Sequence, residues 1–179
     1  MVNPLSSIIL IALLIVATIT DISRHKIYNW TTYPGMLLAL VVGWGERGWP
    51  ALQDGLAGLL VCGGIMLLCF VLFNVGGGDV KLLAMMGAFL GVEQGIEALL
   101  WTFVLGSLMG MAILVWQIGA VKIMLGTIHH VWLVLKSRSW IPLNEQERQP
   151  LERWLFLAPS GLAAACLVLG WPTLEAWLN

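Results

Sequence analysis

The 179-residue chain is 59 % hydrophobic and only 11 % charged, with a mean hydropathy of +0.89, far from the roughly 25 % charged make-up of soluble domains. This excludes an ordinary soluble domain and identifies an integral membrane protein; a net charge of −1 with no basic stripe excludes a nucleic-acid partner. Cys62, Cys69 and Cys166 lie inside apolar runs without a CxxC spacing, which argues against structural zinc, and no metal or cofactor is expected.

Apolar segments recur too regularly to leave room for a separate soluble module, so residues 1–179 are expected to form a single membrane domain. Residues 4–20 carry no charge and approach the ~20 residues that a spanning helix needs. With no basic stretch ahead of them, they are expected to stay as a membrane helix and not to be cleaved as a signal peptide. A polar loop at 21–29 follows, with Asp21, Arg24, His25, Lys26 and Asn29. Residues 30–44 form a second apolar run, and the Gly- and Trp-rich stretch 43–50 reads as a turn at the far interface, where tryptophans fit the aromatic belt.

Residues 55–73 form a third span, followed by the turn Asn74-Val75-Gly76-Gly77-Gly78-Asp79-Val80-Lys81. Residues 82–92 are apolar, but at ~1.5 Å per residue they are too short to cross a ~30 Å core. They predict either a short helix over 79–94 sheltered by its neighbours or an end that dips into an aqueous cavity. Residues 96–116 form a fifth span, with Gly106, Ser107 and Gly110 suited to close helix contact. Residues 118–135 are mostly apolar yet carry Lys122, His129 and His130; residues 136–153 are polar; and residues 154–171 form the last span.

The basic residues decide the topology. With 118–135 lying along the surface, six spans result, and the loops at 21–29, 74–81 and 117–153 share one side. That side holds Arg24, Lys26, Lys81, Lys122, Lys136, Arg138, Arg148 and Arg153, against Arg47 on the other. The bias makes these loops cytoplasmic and puts both termini outside. A seventh span would undo it, so an interfacial helix is preferred for 118–135. The expected fold is an all-α polytopic membrane bundle of about six transmembrane helices plus one interfacial helix.

Asp21 and Asp79 thereby fall on the same face. Ionisable residues at the mouths of membrane helices are costly and point to function. Two carboxyls brought together at a poorly solvated site share a proton, one taking a proton from water while the other donates to an oxyanion. Gly76, Gly77 and Gly78 give a backbone that approaches another chain closely. The plainer alternative is a flexible turn with Asp79 as an N-cap and Asp21 paired with Arg24 or Lys26.

Asp21 followed by Arg24, Lys26, Ile27 and Asn29, and then Gly76-Gly77-Gly78-Asp79-Val80-Lys81-Leu82-Leu83, resembles the prepilin peptidase family. The second motif has the GxGD form of membrane aspartyl proteases. The resemblance covers residues 4–92, with Leu157-Ala158-Pro159-Ser160-Gly161 similar to the family's Pro/Gly-containing final helix. It implies an aspartic-type endopeptidase of the bacterial inner membrane or an archaeal membrane, with Asp21 and Asp79 as catalytic residues. Its substrates would be prepilin-like proteins, cut on the cytoplasmic side between a short basic leader and an apolar N-terminal helix. Gly76, Gly78 and Lys81 match the rest of the second motif, with Lys81 positioning or tuning the loop, and Arg24, Lys26 and Asn29 match the first.

Tyr28 stands where many members have proline. Longer members carry paired CxxC motifs between the first two helices and methylate the new N-terminus. This chain has a short loop there and resembles the form found in Tad/Flp-type pilus systems, without N-methylation. Besides the substrate, lipid is the expected partner, and the oligomeric state is left open.

His129 and His130 point to different sides of a helix, and Glu93 and Glu97 fall on the outer side. The competing functions are a small ion or solute transporter, which predicts charges spread through the membrane depth, and a non-catalytic pilus or secretion assembly subunit, which predicts dispensable aspartates.

Overall fold

The computed structural model describes residues 4–24, 26–73, 76–118 and 157–178, and every element among them is an α-helix. These are α1 (Pro4–Arg24), α2 (Asn29–Arg47), α3 (Trp49–Phe73), α4 (Gly77–Ile118) and α5 (Leu157–Leu178). The described residues up to 105, together with α5, form one compact unit; residues 106–118, the end of α4, belong to a second. The interfacial helix expected over 118–135 lies, past Ile118, outside the described residues, as do the polar stretch 136–153 and both histidines at 129 and 130.

Against the six spans expected, three stretches among the described residues have, by length and composition, what crossing a membrane demands: Pro4–Arg24, Trp49–Phe73 and, counted through its break at Gly91, the Gly77–Ile113 part of α4. Leu157–Gly170 is a shorter apolar helix.

α1 buries one narrow stripe, Ser6, Leu10, Leu14, Ala17 and Asp21, spaced at three and four residues as a single helix face requires. α2 ends at Gly48, whose φ of +72° is the left-handed conformation that glycine adopts without a Cβ penalty. Its N–H closes the helix on the Trp44 carbonyl at 2.8 Å, and α3 starts at once with Trp49-Pro50.

α4 is broken at Gly91, with φ +79° and ψ −170°. The break is an aspartate clasp. The Val92 N–H donates to Asp54 Oδ1 of α3 at 3.2 Å, and a Cβ on residue 91 would collide with that carboxylate. The chain then doubles back. Gly95 returns beside Gly87, whose Cα would lie 3.2 Å from a Cβ on residue 95, so residues 92–105 run antiparallel to residues 77–90.

The first arm of α4 is the centre of the unit. Leu82, Leu83, Met85, Met86, Ala88, Phe89 and Leu90 are all at most 5 % exposed, and a helix apolar all round must be covered all round. The structure therefore realises the sheltered short helix, with its end at Gly91 and not near 94. Its cover on one side is α3, where Gly58 meets the Gly87 backbone so closely that a Cβ on either would strike the other's carbonyl. Small residues at such a crossing let membrane helices associate through dispersion contacts that lipid cannot match.

This up-and-down path sorts the helix ends. The end of α1, the start of α2, the end of α3 and the starts of α4 and α5 meet at one pole: Ile27 packs on Gly78, Phe70 on Gly77, Lys81 on Asn29 and Ala158 on Asp21. At the other pole Ser6 Oγ donates to Glu46 Oε2 at 2.9 Å, and Asp54 clasps the α4 break.

Candidate active site

Asp21 occupies the last turn of α1 on the same stripe as Leu14 and Ala17, and it is 9 % exposed. An inward register thus carries a carboxyl where an apolar side chain would be the ordinary choice. Such a group is expensive unless other groups meet it. One of them is the backbone N–H of Ala158, in the first turn of α5, which donates to Asp21 Oδ2 at 3.4 Å.

Asp79 lies in the first turn of α4 and is half-buried. Its N–H donates to the Gly76 carbonyl at 3.0 Å, and its carboxyl curls back over the same residue. A Cβ on Gly76 would sit 2.9 Å from Asp79 Oδ2, closer than real Cβ contacts allow. Asp21 acts on Asp79 electrostatically, so two carboxyls 58 residues apart in sequence lie within each other's field.

The three glycines of the motif are not equivalent. Gly78 lies under Ile27 of the α1–α2 loop, 3.1 Å from where its Cβ would be, and so lets that loop settle on the start of α4. Gly77 has only the Phe70 ring at an ordinary 3.9 Å. A Cβ at residue 76 would displace the Asp79 carboxyl and one at residue 78 would press on Ile27, whereas one at residue 77 would meet only an ordinary contact.

Lys81 Nζ donates to Asn29 Oδ1 at 2.8 Å and stands 5.1 Å from the centre of the Tyr33 ring. The ammonium thereby ties the start of α4 to the start of α2, with the ring adding a cation–π contact. Arg24 Nη1 donates to the Tyr28 hydroxyl at 3.3 Å, within its own loop. Lys26 is exposed in that loop. The structure therefore gathers Asp21, Asp79, Gly76, Gly78, Lys81 and Asn29 about one pole, and leaves Arg24 and Lys26 at its rim.

Two participants escape sequence reasoning. Tyr33 is legible only as a helical neighbour of Asn29, four residues on. Ala158 has no such signal, because its contribution is a backbone N–H.

A family model described as the type IV leader peptidase family matches residues 8–111, a stretch that includes both aspartates and stops before α5. Comparison of the chain with curated proteins and with solved structures gave no match.

Proposed function

Given that this chain belongs to the type IV leader peptidase family, we propose that it is a membrane aspartyl endopeptidase whose catalytic pair is Asp21 and Asp79. Its substrates are prepilin-like proteins, cut at the cytoplasmic face between a basic leader and an apolar N-terminal helix. The observation that carries the reading is that these two carboxyl groups, one of them on the buried stripe of its helix, lie within each other's field at the pole that holds the glycine turn. Taking up the Ala158 N–H needs one carboxyl, whereas general acid–base hydrolysis needs two.

Like charges within each other's field favour a pair that holds one proton. The ionised member takes a proton from water as the water oxygen attacks the scissile carbonyl. The protonated member donates to the carbonyl oxygen. A site at the helix ends, not at mid-membrane depth, gives that water access. Lys81, held by Asn29, fixes the first turn of α4 and so the direction of the Asp79 carboxyl. Lys26 and Arg24 stand at the rim of the site, and the positive-inside bias of the loops puts that rim in the cytoplasm, with both termini outside. The missing CxxC region between α1 and α2 supports cleavage without N-methylation.

The test is mass spectrometry of a prepilin co-expressed with this protein. The expected product lacks its leader, begins at the residue before the apolar helix and has an unmodified amino terminus. An intact leader would contradict the reading, and a methylated terminus would contradict its second part.

A further inference from the structure

Two carboxyls that share one proton need not share it equally, and the groups that meet each of them decide where it rests. We propose that the N-terminal turn of α5 holds Asp21 as the ionised, water-activating member, with the Ala158 N–H as its positioning donor, and leaves the proton on Asp79. The inference rests on the peptidase reading of the same pair.

The first N–H groups of a helix have no partner within it, and their dipoles concentrate partial positive charge there. Anions are favoured at that end, and Asp79 shares the advantage in the first turn of α4; what sets Asp21 apart is a donor given by another helix. Asp21 Oδ2 takes up one of these donors, on Ala158, at 3.4 Å. Ala158 is fully buried, with Leu157 and Ser160 less than a tenth exposed, so the field of the helix end is weakly screened. Gly161, just after this turn, packs near Met86 and Leu82 on the arm of α4 that carries Asp79. The same element thus packs on that arm and offers its N–H to Asp21.

The charged and titratable groups at this pole support the assignment. Asp21 acts on Asp79 of α4 and opposes a negative charge there. On Asp21's own helix Arg24 turns to Tyr28, and Lys26 is exposed in the loop that follows. Lys81 on α4 is engaged with Asn29 and the Tyr33 ring on α2. The first turn of α5, Leu157-Ala158-Pro159-Ser160, brings no titratable side chain.

The reaction balances on this assignment. Asp21 takes a proton from water as the C–O bond forms, and Asp79 passes its proton to the carbonyl oxygen. As the C–N bond breaks, Asp21 protonates the leaving amine, the new hydroxyl returns its proton to Asp79, and the carbonyl re-forms. Both aspartates end as they began.

The donor is removed without changing shape by placing lactic acid at position 158, which turns the amide into an ester. The full-length protein is reconstituted in liposomes, and leader cleavage of a purified prepilin is measured against pH. Ionisation of Asp21 sets the acid limb and loss of the Asp79 proton the alkaline limb. The expected result is an acid limb moved up by about one pH unit, the size of a hydrogen bond to a charged group, with the alkaline limb in place. The same ester at Ala163, within the helix, is expected to move neither limb.

A shift of the alkaline limb instead would put the proton on Asp21 and overturn the proposal. So would a fall in rate with both limbs unmoved, or an equal shift with the ester at Ala163. Cleavage that survives Asp21→Asn would overturn it at its premise, an outcome separate from an unmoved limb.

Discussion

Asp21 sits on a helix stripe that is otherwise a packing surface, four residues after Ala17 and seven after Leu14. That register is not readable from the residues alone, since residues 8–17 are apolar on every face and only the packing of the other helices picks out the buried stripe. What the glycines do is also not legible. Three in a row suggest a flexible turn, yet only at two would a Cβ press on a neighbour, at Gly76 on the carboxyl of Asp79 and at Gly78 on Ile27. Gly76→Ala is expected to displace the Asp79 carboxyl and to lower leader cleavage by about tenfold or more, up to the roughly 10²–10⁴-fold that a positioned acid or base contributes. Gly77→Ala is expected to stay within about twofold of wild type. Equal losses in the two variants, each with normal membrane insertion, would contradict the distinction.

Of the elements, the first arm of α4 is foreseeable as a short helix that its neighbours must shelter, and the structure surrounds it. Its end is not foreseeable. The apolar run carries no proline or polar cluster between Leu82 and Val92, and although a glycine is the residue expected at a helix end, Gly87 and Gly91 both offer one and nothing local chooses between them. The mark is Asp54, from a different helix, whose carboxylate accepts from Val92 N–H just where the first arm stops. A pairing between residues 38 positions apart is invisible to local pattern. Replacing Gly91 by Ala forces a positive φ on a side-chain-bearing residue and drives its Cβ into Asp54. A loss of about 1 kcal/mol or more is expected, measured as a lower unfolding temperature in detergent. Asp54→Ala removes the clasp and is expected to cost about 0.5–2 kcal/mol, as lost helix caps do. Unchanged unfolding in both variants would show that the doubling-back of α4 is held by packing alone.

Taken whole, the molecule brings five helix ends to one pole. The membrane class and the helical fold are evident from composition alone, because a charge content this low has few soluble solutions. The common pole of Asp21 and Asp79 follows from the alternation of spans and the distribution of Lys and Arg. The contribution of α5 does not, since an N–H donated across 137 positions of sequence leaves no trace in residue type. The central claim, that Asp21 and Asp79 act as one catalytic pair, is tested most directly by leader cleavage of a co-expressed prepilin with wild type, Asp21→Asn and Asp79→Asn, membrane insertion being verified for each. Either substitution alone is predicted to lower cleavage by about 10²-fold or more, and the double variant to be scarcely worse, as members of one catalytic unit behave. Normal cleavage by either well-inserted single variant would contradict the claim.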